Sequence, residues 1–385
     1  MMTHAIYLDN SATTPTATEI VAAMQPYFSV SYGNPSSLHA FGREARSAVD
    51  TSRATIAGLL GIQPNEIIFT AGATEANNLA IIGTAFSSGT RKHLITTAVE
   101  HHAVLHAVEW LQTLGFDMTI LDVDATGRID PTQVDQSIRP DTLLVSVMTG
   151  NNEIGTLQPI AELGRICRAR GVMLHTDAVQ ALGKIDLPID SVDLLSISAH
   201  KFHGPKGVGF LYARKGTDLT PLLHGGGHEH GRRSGTENVP GIVGLAAAVS
   251  LALDEQEALA ARLGALRSRM IDAVAQIPGT RLNGHPEACL PHIANFSFEA
   301  IEGESLVMKL DEHGIAVSTG SACSSPNLEP SHVLVAIGVP MSMAHGSLRV
   351  SMGRQTTDRD IDAFLGVLPD VVSELRLISP FKVGE

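Results

Sequence analysis

Short apolar strands that alternate with helical segments are the feature that most limits the folds open to this chain. Helical patterns cover about residues 73–86, 102–114 and 160–170, and strand-like segments lie between and after them. Several of these strands are apolar on both faces, which is typical of a parallel sheet covered by helices on either side. The pattern predicts a doubly wound α/β domain. The strand-like segments are EIIFT, HLITT, TLLVSVM, VMLHT, LLSIS and VGFLY.

The pattern changes after Gly235. A long Ala- and Leu-rich helical stretch is followed by strand HIANFSF, a helix, strand SLRVSMG and a second helix. This order predicts a smaller α+β domain. The N-terminal segment AIYLDNSATT is too short to fold alone, and we expect it to pack on this second domain. The predicted division is a large domain over residues 15–259 and a small domain formed by residues 1–14 and 260–385.

Composition and charge favour a globular protein with a sizeable core. The chain has 385 residues, of which 44% are hydrophobic and 17% charged. Its formal net charge of −13 argues against general affinity for nucleic acid or anionic membranes. The N-terminus lacks the features of a secretory signal, and the longest apolar run, Gly241–Leu253, is too short to span a bilayer. We expect a cytoplasmic protein that binds neither nucleic acid nor membrane.

Ionisable and polar side chains follow the ends of the predicted strands. His101 comes after strand HLITT, Asp177 directly follows VMLHT, and Lys201 lies just beyond LLSIS. Thr74 opens a helix after EIIFT, where free backbone N–H groups can bind an anion such as phosphate. Ligands of doubly wound sheets bind beyond the C-terminal ends of the strands. We therefore expect these four residues to lie at one ligand site.

Each of these residues also has an ordinary structural explanation. Thr74 is a common type of helix cap, and Asp177 can cap a turn. Lys201 can extend to solvent, and His101 can be a partly buried histidine. Together they fit pyridoxal phosphate, which needs a lysine for its Schiff base, an acid at the pyridinium nitrogen, a ring partner and a phosphate cup. The chain has neither a Walker loop nor a GxGxxG motif, which argues against ATP and NAD.

Segments along nearly the whole chain resemble the cysteine desulfurase family, within the class V aminotransferases of pyridoxal-phosphate fold-type I. The resemblance implies a large domain with a seven-stranded mixed sheet, a smaller α+β domain, and pyridoxal 5'-phosphate as cofactor. It also implies conversion of L-cysteine to L-alanine, with the sulfur left on a cysteine as a persulfide. The segments are YLDNSATT, GNPSSLHAFG, FTAGATEANNLAI, VEHHAVL, NNEIGTLQPI, HTDAVQALGK, SAHKFHGPKG, HGGGHEHGRRSGTEN, GSACSSPNLEPSHVL and SLRVSMGRQTT.

The resemblance implies a role for each residue around the cofactor. Lys201 would form the Schiff base and later move a proton at the substrate Cα. Asp177 would pair with the pyridinium nitrogen, and Gln180 would donate to the phenolate oxygen. His101 would stack on the ring and exchange a proton with the substrate thiol. The other cofactor-binding residues would be Asn152 beside the ring and Ala73, Thr74, Ser198 and His200 at the phosphate, with Thr236 reaching it from the other subunit of a homodimer.

The resemblance also implies the substrate side of the site. Arg349 would clamp the substrate carboxylate, for which a planar guanidinium is suited, and Asn34 and Asn152 would line the same end. Cys323, in the small and polar loop TGSACSSPN, would attack the substrate sulfur and carry the persulfide.

The long Ser- and Pro-containing loop after Cys323 resembles the long-catalytic-loop group of the family. This group implies delivery of sulfur to an iron–sulfur scaffold or another acceptor protein. A housekeeping and a nitrogenase-associated role both remain open. The other cysteines, Cys167 and Cys289, match no motif and are expected to be packing thiols.

Two groups of histidines raise the alternative of a metal site. His102 and His106 have the i, i+4 spacing of a zinc pair on a helix, and His224, His228 and His230 lie close together in sequence. No third ligand or HExxH frame accompanies the helical pair. We therefore predict no metal site.

Other functions that keep the same fold are a small-amino-acid aminotransferase and a selenocysteine lyase. An aminotransferase needs no thiol, so the GSACSS loop argues against it. A sulfur-carrier scaffold without catalysis would require damage to Lys201 or Asp177, and neither is altered.

Overall fold

Helices and strands alternate along the chain in the computed structural model, which describes residues 5–320 and 330–384. The strands are β1 (Ile6–Tyr7), β2 (Ile67–Thr70), β3 (His93–Thr97), β4 (Asp117–Leu121), β5 (Thr142–Ser146), β6 (Met173–Asp177), β7 (Leu194–Ser198), β8 (Gly209–Ala213), β9 (Thr280–Asn283), β10 (Ile293–Phe298), β11 (Ile315–Ala316) and β12 (Ser347–Ser351). The helices are α1 (Thr18–Met24), α2 (Pro26–Ser29), α3 (Ala40–Leu60), α4 (Ala73–Asn78), α5 (Thr84–Ser87), α6 (His102–Thr113), α7 (Pro131–Ser137), α8 (Ile160–Arg170), α9 (Val239–Val274), α10 (Gly303–Glu312), α11 (His332–Ala336), α12 (Met341–Ala344) and α13 (Asp358–Ile378).

A seven-stranded sheet with the order β2-β8-β7-β6-β5-β3-β4 forms the larger part of the fold. Strand β8 is antiparallel to both of its neighbours, and the other neighbouring pairs are parallel. Successive residues of β7 enter different cores: Leu195 packs with α3, α8 and α9, and Leu194 packs with α4 and α6. Helices therefore cover both faces, and the predicted α/β fold with a seven-stranded mixed sheet is confirmed.

The edge strand β4 is absent from the sequence prediction. Its sequence, DMTIL, has only Leu121 fully buried, and Asp117 and Ile120 are exposed. An edge strand is half solvated, so it lacks the continuous apolar pattern that identified the central strands. The short strand β9 was missed for a similar reason, because three of its four residues are only partly buried.

The second core surrounds a three-stranded antiparallel sheet with the order β12-β10-β9. Helices α10 and α13 pack on it, and the N-terminal strand β1 pairs in parallel with β11. Helix α9 is 36 residues long and connects the two cores. By length and hydropathy it could cross a membrane, but Leu245 is buried in the first core and Met270 in the second. Its apolar face thus has partners within the protein.

Candidate active site

Four strand ends bring the predicted residues to one edge of the large sheet. Asp177 is the last residue of β6, and Lys201 lies in a 3-10 turn directly after β7. His101 precedes α6 after strand β3, and α4 begins after β2. Asp177 and Lys201 both act electrostatically on His101. The structure therefore brings these predicted residues together.

Lys201 points into the protein and not to solvent. Its Nζ donates to the backbone oxygens of Ser11 at 2.6 Å and Ala12 at 3.0 Å. A second lysine, Lys184, is 5% exposed and donates to the Lys201 carbonyl oxygen at 3.2 Å. Burial and the charge of Lys201 lower the pKa of Lys184 to about 8. Lys201 thus lies partly buried beside a second lysine, and a neighbouring cation is one of the features that activate a lysine amine.

The Asp177 carboxylate is 7% exposed and held by two donors. Asn77 Nδ2 donates to Oδ2 at 2.6 Å, and the Val179 backbone N–H donates to Oδ1 at 3.1 Å. Asp177 therefore caps its turn through the Val179 N–H, and the hydrogen bond from Asn77 on α4 also fixes the orientation of its carboxylate. A carboxylate held in this way can keep a proton on a facing ring nitrogen.

His101 is the N-cap of α6, with its ring held in one orientation. Nδ1 accepts from the Ala103 backbone N–H at 3.0 Å, which assigns the proton of the neutral ring to Nε2. Burial lowers the pKa of His101, and Lys201 and His102 lower it further while Asp177 raises it. His101 is therefore mainly neutral at pH 7, as required of a group that both donates and accepts a proton.

The turn between β2 and α4 has the shape of a phosphate cradle. Gly72 has φ +151°, and a Cβ there would lie 3.5 Å from Ser198 Oγ. Ala73 and Thr74 begin the helix, whose first N–H groups have no intrahelical acceptor. The helix continues through a π-helical turn at Leu79–Gly83 into α5. Backbone donors and a hydroxyl thus face the same space.

The other predicted cofactor residues differ in their burial and in their contacts. Gln180 is buried, and its Nε2 donates to Ser11 O at 3.0 Å. The His200 ring lies 3.1 Å from Thr13 Oγ1, and burial lowers its pKa to about 4. Thr236 is exposed and lines a cavity of about 240 Å³ with Thr70 and Ala71 of the β2–α4 turn.

Arg349 lies on β12 and is 4% exposed, so it is not a surface ion pair. Nη2 bonds to Asp9 Oδ1 at 2.8 Å, and Nη1 donates to Asn152 O at 3.0 Å. Its Nε is buried with no partner among residues 5–320 and 330–384. A fixed guanidinium with a free N–H is suited to bind a carboxylate. Asn34, in contrast, is exposed, and its Oδ1 accepts from Ser36 N. Its place at the carboxylate end of the site stays a prediction.

The residues present fit pyridoxal phosphate. Ser11 Oγ and Asn77 Oδ1 are buried and lack partners among the described residues, although Ser11 contacts Lys201 and Asn77 contacts Asp177. Unsatisfied buried polar atoms are rare in folded proteins and mark a place where another group can bind. The lysine amine, acid, imidazole and helix start are the donor set that this cofactor requires.

Sequence reasoning missed the residues that orient this site. Asp9 holds Arg349, and Asn77 holds Asp177, across 340 and 100 residues of sequence. Glu100 was also missed; it is fully buried and accepts from Thr97 Oγ1 and Met148 N, and burial raises its pKa to about 8. The available signal was their place in the motif segments YLDNSATT, ATEANN and VEHH.

The three cysteines have different surroundings. Cys323 lies outside the described residues. Cys167 is buried in the first core, and burial raises its pKa to about 12, as expected of an inert packing thiol. Cys289 is partly buried, and its Sγ lies 3.4 Å from Glu287 O, with its pKa raised by burial.

Three histidines lie close together near the site. The rings of His102 and His106 stack at 4.9 Å between centroids, and His332 lies 4.6 Å from His102. Within residues 5–320 and 330–384, no group of three or more His, Cys, Asp or Glu side chains is arranged to hold a metal ion.

Comparison with known proteins identifies the family. The class-V aminotransferase family model matches residues 6–364. A cysteine desulfurase IscS of Methanosarcina thermophila is 51% identical over 384 residues, covering 99% of this chain and 95% of the relative. A solved structure of a NifS-like protein has a TM-score of 0.91 and 39% identity, and covers 97% of this chain and 100% of its own. A structure of SspA in complex with cysteine has a TM-score of 0.81 and 38% identity over 91% of this chain and 99% of its own. The chain belongs to the class-V aminotransferase family and, within it, to the cysteine desulfurases.

Proposed function

We propose that the chain is a pyridoxal-phosphate-dependent cysteine desulfurase that converts L-cysteine to L-alanine and collects the sulfur on Cys323 as a persulfide. The observation that carries this proposal is the convergence of Lys201, Asp177 and His101 at one sheet edge, beside a buried arginine with a free N–H. The similarity to a protein whose structure contains cysteine supports the choice of substrate.

Each residue has a defined task in this reaction. Pyridoxal phosphate, held by Lys201, Asp177 and the α4 start, supplies an electron sink for negative charge at the substrate Cα. Arg349 binds the substrate carboxylate through its fixed guanidinium. The Lys201 amine moves a proton at the substrate Cα, and neutral His101 exchanges a proton with the substrate thiol.

Cys323 performs the sulfur transfer. Its thiolate forms an S–S bond to the substrate sulfur while the substrate Cβ–S bond breaks. The electron pair of the broken bond returns to the carbon skeleton, and a proton completes alanine. The terminal sulfur then stays on Cys323 until an acceptor thiol or scaffold removes it.

The protein acts, in this proposal, as a cytoplasmic homodimer that supplies sulfur to an iron–sulfur scaffold or another acceptor protein. Each subunit has a large domain over residues 15–259 and a small domain formed by residues 1–14 and 260–385. Similarity to proteins named IscS supports the scaffold as acceptor. Exposed apolar side chains near the N-terminus support a second copy, because monomers rarely expose such groups together. Those side chains are Phe28 (64% exposed), Val30 (71%), Tyr32 (63%), Leu38 (90%) and Phe41 (51%).

The proposal is tested by supplying L-cysteine to the purified protein and measuring alanine, bound sulfur and keto acid in one reaction. We expect a visible Schiff-base band, alanine, and sulfur on Cys323 located by mass spectrometry. Formation of 3-mercaptopyruvate in place of alanine, with the amino group passed to an added keto acid, would indicate an aminotransferase. Turnover of selenocysteine alone would indicate a selenocysteine lyase, and absence of cofactor uptake would contradict the proposal.

Replacing Arg349 by lysine tests the substrate clamp. The variant keeps the positive charge but loses the planar fork, so we expect the KM for L-cysteine to rise by about 10- to 100-fold, the range for losing a hydrogen bond to a charged group. Arg354→Lys is the matched control, because Arg354 pairs with Glu255 and Glu19 and is partly exposed. An unchanged KM in Arg349→Lys, measured from initial rates of alanine formation, would exclude the clamp.

A further inference from the structure

Glu153 is a buried carboxyl group to which the proposed reaction gives no task. It follows Asn152 in the loop after β5 and is 6% exposed. Asn295 Nδ2 donates to its backbone oxygen at 3.2 Å, and its backbone N–H donates to Asn151 Oδ1 at 2.8 Å. The loop is therefore well fixed, and the side chain is held in one direction.

One oxygen of this carboxyl group meets both ends of the segment that carries Cys323. Ser331 Oγ donates to Glu153 Oε2 at 2.5 Å. A Cβ built on Gly320 would lie 3.2 Å from the same oxygen, so Gly320 faces this oxygen and a side chain at position 320 would crowd it. Gly320 is the last described residue before segment 321–329, and Ser331 is the second described residue after it. The two flanks of the segment thus converge on a single atom.

Both flanks are also tied to their surroundings. Ser331 caps α11, since its Oγ accepts from Val333 N at 3.1 Å. Gly320 N donates to Ser318 Oγ at 3.1 Å, and Ser318 N donates to Arg349 O at 3.2 Å. The Arg349 N–H returns a bond to Ser318 O at 2.6 Å. The Gly320 flank is therefore tied to the arginine through Ser318, and the Ser331 flank is tied to α11.

Resting on the proposed function, we propose that Glu153 is a positioning residue for sulfur transfer. Its carboxyl group binds Ser331 and lies beside Gly320, which are described residues on either side of segment 321–329, and we expect sulfur transfer through Cys323 to depend on this anchor. Holding reacting groups in register accounts for a large part of enzymatic rates, and a displacement of about 1 Å can cost about 100-fold.

The charge of Glu153 is expected to matter for this role. Burial raises its pKa to about 7, while the hydrogen bond from Ser331 and the positive charge of Arg349 lower it. Arg349 on β12 is itself paired with Asp9. A 2.5 Å O–H to oxygen contact has the length of a bond to an ionised carboxylate. The ionised form, which predominates above about pH 7, is therefore the form that holds Ser331.

The test is the Glu153→Gln variant, purified with its cofactor. Hydrogen exchange and the kinetics of alanine formation are then measured. Hydrogen exchange by mass spectrometry should show the amides of Gly320 and Val333 exchanging about fivefold faster, because their local anchor is weakened. The kcat for alanine formation at pH 8 should fall about 10-fold with the KM within about twofold, since Arg349 keeps its own partners. The wild-type kcat should rise with pH near 7 as Glu153 ionises, and the variant should lack this rise.

The matched control is Glu66→Gln. Glu66 is a buried carboxylate at the N-terminal end of β2, where it accepts from Gln63 N and Lys215 N. Loss of that carboxylate should leave local exchange at Gly320 and Val333 and the pH profile unchanged, even if it lowers the melting temperature.

A second pair of variants keeps the proposal testable if Glu153→Gln fails to fold. Ser331→Ala should reproduce faster exchange and lower kcat, and Ser331→Thr, which keeps the hydroxyl, should restore both. Wild-type exchange and an unchanged pH profile in Glu153→Gln or Ser331→Ala would overturn the inference. Failure of the proposed function is distinct, because the wild-type protein would then form no alanine whatever Glu153 does.

Discussion

Lys201→Ala is expected to lose the visible Schiff-base band and about 10⁴-fold or more of the turnover rate. The rate loss is this large because the variant lacks both the covalent partner of the cofactor and the group that moves the Cα proton. Acid–base catalysis alone contributes about 10²- to 10⁴-fold. The position of the amine supports this role, because its Nζ is bonded within the protein to Ser11 O and Ala12 O.

The control for this experiment is Lys206→Ala, which removes an exposed lysine five residues later in the same turn. We expect its absorption spectrum and turnover to match the wild type. A small primary amine added to Lys201→Ala should restore part of the proton transfer if the amine is what is missing. A Lys201→Ala protein that keeps both the band and its turnover would show that Lys201 is not the cofactor lysine.

The strand ends made much of this site predictable from the sequence. Parallel strands that are apolar on both faces must lie in the middle of a covered sheet, and their C-terminal ends meet at one edge. His101, Asp177 and Lys201 each follow such a strand, so their convergence follows from topology alone. These residues already indicated the cofactor, and the resemblance of the motif segments implied the same cofactor and added the substrate.

The orienting contacts were not predictable, because they join residues far apart in sequence through side-chain geometry. Asp9 and Arg349 meet only because β12 and the N-terminal segment pair at Asp9 and Ser351. Nothing in the sequence around Glu153 indicates that it lies beside Gly320 and Ser331. The sequence around each of these residues predicts only a loop or a helix cap. Such contacts depend on packing at the ångström scale, which periodicity does not encode.

Cys323→Ser is expected to separate the two halves of the reaction. A serine hydroxyl is not ionised near neutral pH and cannot form the persulfide, so we expect alanine formation to fall by about 10³-fold or more, the scale seen when an enzyme nucleophile is removed. The Schiff-base band and its change on adding L-cysteine should remain, because Lys201, Asp177 and Arg349 are untouched.

Cys289→Ser provides the control for Cys323→Ser. Cys289 is a partly buried thiol with its pKa raised by burial; it lies beside Glu287 O and has no task in the proposed reaction. Its replacement should leave alanine formation and persulfide on Cys323 unchanged, measured by amino-acid analysis and peptide mass spectrometry. If Cys323→Ser turns over cysteine as fast as the wild type, sulfur does not pass through this thiol, and an aminotransferase-like reaction would replace the desulfurase. Loss of persulfide with retained binding of L-cysteine would instead establish that Lys201 and Arg349 act before sulfur transfer and that Cys323 alone receives the sulfur.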